Sequence, residues 1–94
     1  MVDGWGEKLC VTVNRVQVRP MRQKWANMSS NGNLTLADDL LTMLAELVDY
    51  VIVHELLHLK IPDHGRGFQA MMSAWLPDWE DRERRLSIIG LVAG

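Results

Sequence analysis

The sequence predicts an α+β fold in which a small antiparallel β-sheet with a hairpin is followed by one long helix and two C-terminal helices. Three features predict it: polar and apolar residues alternate before Pro20, a dense turn signal surrounds Gly32, and a helical pattern begins at Asp38. A chain of 94 residues has the length of one domain. We therefore expect residues 1–94 to form a single domain.

The N-terminal part of the chain predicts a short helix and then a strand. Residues 5–10 are expected to form the end of the helix. Val16 and Val18 alternate with Arg15, Gln17 and Arg19, and this period of two is typical of a strand that is buried on one face.

A β-hairpin is predicted over Arg22–Leu36. Its turn lies in Ser29–Asn33, where Asn31-Gly32 can adopt the positive φ angles that a tight turn requires. Such a hairpin either has a purely structural role or offers an edge strand to which an extended peptide can bind. The sequence pattern is compatible with both roles.

The longest predicted helix follows the hairpin. The acidic pair Asp38-Asp39 favours a helix N-terminus, and the helical pattern continues to Lys60 with an interruption near Thr42. The helix is expected to end near Lys60 because the residue before Pro62 is biased away from the α region.

Two shorter helices complete the predicted architecture. The first spans Phe68–Leu76 and is ended by Pro77, and the second begins after Asp78 and continues to about Ile89. With the hairpin before them, they make the α+β class the simplest interpretation.

Composition and charge exclude several classes of function. Ten Lys and Arg residues against 12 Asp and Glu residues give a net charge of −2, which does not favour nucleic acid or an anionic membrane as a partner. No apolar run approaches the roughly twenty residues that a membrane span needs. One cysteine and an N-terminus without the pattern of a secretory signal indicate the reducing cytoplasm.

The segment His54-Glu55-Leu56-Leu57-His58 carries the chemistry. Histidines four residues apart lie about 40° from each other around a helix, so both imidazoles can bind one ion. Glu55 lies about 100° from His54, where it can reach a water on that ion. This is the HExxH arrangement of zinc hydrolases, in which the glutamate acts as general base.

A catalytic zinc usually has a third protein ligand, and His64 is the strongest candidate. On a continuous helix His64 would lie about 120° away from His58, so the chain must leave the helix and turn back, which Pro62 and Gly65 allow. Asp63 is a weaker candidate and a more natural hydrogen-bond acceptor in the loop. Two glutamates further along, Glu80 and Glu83, are weaker alternatives for the third ligand.

The chain resembles the YgjP-like metallopeptidase domain, a zincin family related to the WLM and SprT-type peptidases. The matching stretches lie between about Trp5 and Leu86, and they are Met21–Ser29, Asp49–Leu59, His64, Phe68 and Leu76–Trp79. The resemblance implies a zincin-like fold, one Zn²⁺ per chain held by His54, His58 and His64, Glu55 as the catalytic residue, and a peptide or protein substrate. The family's Trp-Gly-Ser-Cys is here Trp25-Ala26-Asn27-Met28, which implies a changed substrate surface.

The expected mechanism follows from these ligands. A zinc-bound water loses its proton to Glu55 and attacks a carbonyl that the zinc polarises. Arg66 or a backbone N–H is a candidate for stabilising the resulting oxyanion. The hydroxyl of Tyr50, one turn before His54, is expected to pack nearby rather than reach the substrate.

Two rival functions remain open. The run from His54 to His64 is similar to the three-histidine motif of the YbeY-type endoribonucleases, which have glycine where this chain has Glu55. The other rival is a non-catalytic module in which zinc only stabilises a small domain. A glutamate at position 55 favours peptide hydrolysis over the endoribonuclease. A fourth, saturating protein ligand would favour the non-catalytic module.

Overall fold

A computed structural model describes residues 2–21 and 24–89 of the chain, and the predicted α+β class is confirmed. A short 3₁₀ helix over Asp38–Thr42 leads into the longest helix. The other elements are α1 (Val2–Leu9), β1 (Arg15–Arg19), β2 (Ala26–Met28), β3 (Asn33–Ala37), α2 (Ala45–Leu57), α3 (Arg66–Trp75) and α4 (Trp79–Ile89).

The predicted hairpin is formed by β2 and β3, which pair in antiparallel fashion with Ala26 opposite Leu36 and Met28 opposite Leu34. Its turn closes through Gly32, which has a φ of 84° and whose N–H donates to the carbonyl of Ser29 at 3.0 Å. The predicted start of the hairpin at Arg22 lies outside the described residues.

The sheet is mixed, and the prediction of an antiparallel sheet is wrong for one of its two pairings. The strand order is β1-β3-β2, and β1 runs parallel to β3. The most apolar strand therefore occupies the centre, with Leu34 and Leu36 buried, whereas β1 carries Arg15 and Arg19 at an edge. In this order the strand that carries the two leucines has a neighbouring strand on each side. The connection between the parallel strands β1 and β3 runs through β2.

Val16 and Val18 lie beside Leu34 and Leu36 in the register of the parallel pair. They are nevertheless 44% and 48% exposed, and Gln17 between them is more covered, so the prediction that the valine face of this strand is buried is wrong. An edge strand is covered less completely than a central one, and α2 packs against β2, at the opposite edge of the sheet.

Helix α2 is the centre of the molecule. The predicted interruption near Thr42 is confirmed: the 3₁₀ helix ends where the Thr42 hydroxyl donates to the Asp39 carbonyl, and α2 begins at Ala45. Ten of its 13 residues are buried. A helix that is buried on all sides requires cover on all sides, which α1, β2, α3 and α4 supply by packing against it.

The two shorter helices also agree with the prediction within two residues at each end. Leu86 of α4 and Phe68 of α3 are buried in the common core. No helix in the described parts of the chain has the length and apolar character that crossing a membrane requires.

Cys10 ends α1 in the left-handed conformation, with a φ of 57°. The N–H of Val11 donates to the Gly6 carbonyl and that of Cys10 to the Glu7 carbonyl. These two bonds define a Schellman motif, in which the residue at the position of Cys10 is usually glycine. A side chain in this conformation costs about 1–2 kcal/mol.

We therefore predict that Cys10→Gly stabilises the protein. The expected increase in the free energy of unfolding is about 0.5–1 kcal/mol, because glycine removes the strain but loses more backbone entropy on folding. Urea denaturation of this variant should be compared with that of Cys10→Ala, which removes the thiol but keeps the strained Cβ. Equal midpoints for the two variants would contradict the prediction.

Candidate metal centre

The three residues of the HExxH motif lie at the C-terminal end of α2. His54 is 7% exposed, Glu55 is 1% exposed, and His58 is half-buried at the helix C-cap. The polar groups of the motif are thus brought together at one end of a mostly apolar helix.

The chain leaves the helix after Leu57, as the position of His64 requires. Backbone N–H groups of His58, Leu59 and Lys60 bond to the carbonyls three residues earlier, which tightens and ends the last turn. Pro62 then redirects the chain, so that His64 returns to the motif.

The structure brings the three predicted histidines together. Nε2 of His64 lies 3.0 Å from Nε2 of His58, and one nitrogen from each of His54, His58 and His64 falls within 4.8 Å of the other two. Bonds of about 2.0–2.1 Å to one tetrahedral ion would place ligand nitrogens roughly 3.3 Å apart. The cluster therefore has the dimensions of a three-nitrogen metal site.

Hydrogen bonds hold the loop that carries His64. The carboxylate of Asp63 accepts a bond of 2.9 Å from the N–H of Gly65, the residue at the start of α3. The side-chain amide of Gln69 donates to the carbonyl of His64 at 3.4 Å. Asp63 therefore has the predicted role of acceptor within the loop.

The orientation of the His58 ring is set by its second nitrogen. Nδ1 lies 3.3 Å from the carbonyl oxygen of Ile61. When Nδ1 donates this bond, the lone pair of Nε2 is free to face the cluster, as is common for metal-binding histidines.

Phe68 packs against all three histidine rings of the cluster. Reasoning from the sequence assigned no role to it beyond the family resemblance. Its ring stacks on His58 with centroids 4.9 Å apart and meets His54 and His64 edge-on at 5.1 Å. It is 3% exposed. It lies four residues after His64, near the start of α3, so the loop that returns His64 also brings Phe68 to the cluster.

Glu55 has an unsatisfied carboxylate. Its Oε1 atom is buried and has no hydrogen-bond partner among the described residues, and the nearest imidazole nitrogen, Nδ1 of His54, lies 3.5 Å away. A buried carboxylate without a partner is strongly destabilising. The residues present fit a metal ion with a water beside Glu55, because that water would supply the missing donor.

The charge state of His64 also suits a metal site. Burial, followed by the neighbouring His54 and His58, lowers the pKa of His64 below its usual value. The neutral imidazole, which is the form that binds metal ions, is therefore favoured at neutral pH.

The alternative ligands do not join the cluster. The Glu83 carboxylate accepts a hydrogen bond of 3.1 Å from the hydroxyl of Tyr50, so this hydroxyl packs nearby, as predicted. Glu80 and Arg66 are exposed. In the described parts of the chain, the group that could hold a metal consists of the three histidines.

Comparison with solved structures shows which fold this chain shares. The structure is similar to the crystal structure of the metallopeptidase zymogen of Pyrococcus abyssi abylysin, with a TM-score of 0.83 and 24% sequence identity. The similarity covers 95% of this chain and 90% of the other, and it shows a common fold. No curated protein sequence matches the chain.

A family model assigns the chain directly. The model of the YgjP-like metallopeptidase domain matches residues 1–88, which include the whole histidine cluster and all of the described core. The resemblance seen in the motifs is thus confirmed, and the chain belongs to the YgjP-like metallopeptidase domain family.

Proposed function

We propose that this protein is a zinc-dependent metallopeptidase that binds one Zn²⁺ per chain and cleaves peptide bonds in a peptide or protein substrate. The observation that carries the proposal is the cluster of three imidazole nitrogens beside the buried, unsatisfied carboxylate of Glu55. Membership of a metallopeptidase family supports it. We also propose that residues 1–94 act as one domain and that the protein works in the cytoplasm.

The proposal assigns a role to each residue of the cluster. His54, His58 and His64 hold the ion through neutral imidazoles, a ligand set that suits zinc. Zinc bound there supplies Lewis-acid polarisation of the scissile carbonyl and lowers the pKa of a water molecule to near 7.

Glu55 moves the proton in the proposed reaction. Its carboxylate accepts a proton from the attacking water, whose oxygen forms a bond to the carbonyl carbon, and it then passes that proton to the leaving nitrogen as the C–N bond breaks. The apolar surroundings of Glu55 exclude bulk water from this transfer.

The hairpin is the proposed substrate-binding element. β2 is an edge strand and packs against α2, the helix that carries the motif. An extended peptide that added to β2 would therefore lie beside the helix that carries the cluster. Asn27 is exposed and Met28 is half-buried on this strand, so their side chains would contact such a peptide.

Replacement of the glutamate tests the general-base role. We expect Glu55→Gln to keep about one zinc per chain, because it leaves all three histidines in place, and to lower kcat by about 10²–10⁴-fold. The matched control is Glu80→Gln, which changes an exposed residue of α4. Zinc content and the rate of cleavage of an unfolded protein should be measured for both variants.

Assays on two substrates distinguish the proposed function from its rival. The peptidase proposal expects zinc-loaded wild type to cleave unfolded protein and to leave structured RNA intact. Cleavage of the RNA alone would favour the endoribonuclease, and full peptidase activity in Glu55→Gln would overturn the role of that residue.

The loop that returns His64 to the cluster offers a second test. A Cβ atom added at Gly65 would lie 2.9 Å from Oδ1 of Asp63, and it would displace the carboxylate that holds the loop. We expect Gly65→Ala to weaken zinc binding by about tenfold, the lower end of the effect of losing an outer contact.

Gly67→Ala is the matched control for this loop variant. A Cβ at Gly67 meets nothing within 4 Å, and alanine favours the helix by up to about 1 kcal/mol. Zinc affinity is measured by competition with a chromophoric chelator. Equal affinities for the two variants would show that the Asp63–Gly65 contact does not position His64.

A further inference from the structure

His54 is the most buried of the three histidines, yet no hydrogen bond orients its ring. Its Nδ1 atom is buried without a hydrogen-bond partner among the described residues. Nδ1 of His58, in contrast, lies within hydrogen-bond distance of the carbonyl of Ile61. Metal-binding histidines almost always use the second nitrogen to fix the ring. Its nearest carboxylate oxygen, Oε1 of Glu55, lies 3.5 Å from Nδ1, too far for a well-formed hydrogen bond. Packing must therefore contribute to the orientation of His54.

Two aromatic rings supply that packing. The edge of Phe68 from α3 meets the ring of His54 at 5.1 Å, and the ring of Tyr50 lies 5.7 Å away at an interplanar angle of 47°. Tyr50 precedes His54 by four residues on α2, so it covers the neighbouring position on the same face of the helix.

Tyr50 is itself fixed by a residue of α4. It is 2% exposed, and its hydroxyl donates to Oε2 of Glu83 at 3.1 Å across 33 residues of sequence. Burial and the Glu83 carboxylate raise the pKa of Tyr50 above its usual value, so the phenol remains a neutral donor. Without this acceptor the buried hydroxyl would lack a partner, which is destabilising, and no hydrogen bond would fix the ring.

Helix α4 is held in register against α2 by a second set of contacts. Arg85 pairs with the carboxylate of Glu46 at 2.6 Å, and Arg82 donates to the backbone carbonyl of Glu46 at 2.8 Å. The position of Glu83 between these two arginines is thereby defined relative to α2.

One stripe of α2 joins these contacts to the metal cluster. Glu46, Tyr50, His54 and His58 follow one another at intervals of four residues, and each step rotates by only about 40° around the helix. The first two residues of the stripe contact α4, and the last two belong to the histidine cluster.

We propose that Tyr50 and Glu83 form a positioning pair for the metal centre: Glu83 holds the Tyr50 ring, and the ring sets the orientation of His54. Helix α4 then contributes to metal affinity although it supplies no ligand. This inference rests on the metal binding proposed above, and it does not depend on whether the substrate is a peptide.

The test measures metal affinity in variants of the pair. Wild type, Tyr50→Phe, Glu83→Ala, Glu83→Gln and the control Glu80→Ala are prepared metal-free and titrated with Zn²⁺ against a chelator. Each is also loaded with Co²⁺, whose visible spectrum reports ligand geometry, and urea denaturation of the metal-free forms measures folding separately.

We expect Tyr50→Phe and Glu83→Ala to bind Zn²⁺ about tenfold more weakly and to change the Co²⁺ spectrum. Glu83→Gln should keep the Zn²⁺ affinity within threefold of wild type and leave the Co²⁺ spectrum unchanged. Its amide oxygen still accepts the hydrogen bond from the phenol, although the charge is gone. The double variant Tyr50→Phe/Glu83→Ala should be no weaker than either single variant, because both remove one interaction.

Three results would overturn the inference. The first is wild-type Zn²⁺ affinity and Co²⁺ spectrum in Tyr50→Phe. The second is an equal loss of Zn²⁺ affinity in Glu83→Ala and Glu80→Ala. The third is a loss of affinity in Glu83→Gln as large as that in Glu83→Ala, which would indicate an effect of charge alone. A wild-type protein that binds no zinc would instead refute the metal site itself. Zinc binding without hydrolysis would refute only the peptidase.

Discussion

The structure depends on the burial of α2. From Leu47 to Leu57 every residue except Asp49 is buried, so this helix is stable only where other elements cover it completely. Helices α1, α3 and α4 and strand β2 each pack on a different part of it. In a domain this small, one such helix accounts for much of the apolar surface that can be buried.

Complete burial makes the polar side chains of α2 costly, and the surrounding elements satisfy most of them. Asp49 accepts a bond of 3.0 Å from the indole of Trp5 in α1, and Tyr50 bonds to Glu83 in α4. The buried polar atoms of α2 that the described residues leave without a partner are Nδ1 of His54 and Oε1 of Glu55. Unsatisfied groups of this kind are kept where chemistry needs them.

The sequence predicted those features that depend on neighbouring residues. The positive φ predicted for the Asn31-Gly32 pair is found at Gly32 and not at Asn31. Pro62 and the spacing of the histidines indicate the helix end and the returning loop. The parallel pairing of β1 with β3 was not predictable, because alternation along a strand does not encode the direction of its partner. The Tyr50–Glu83 contact spans 33 residues, and no local pattern indicates it.

The edge position of β1 has a consequence for behaviour in concentrated solution. Its two half-exposed valines would favour pairing of this edge strand with the same strand of another copy of the chain. In a symmetric antiparallel pair centred on Gln17, however, Arg15 of one copy would oppose Arg19 of the other, and Pro20 cannot donate a hydrogen bond to extend the ladder. Repulsion between the arginines therefore disfavours strand-to-strand aggregation, although the valines remain half-exposed.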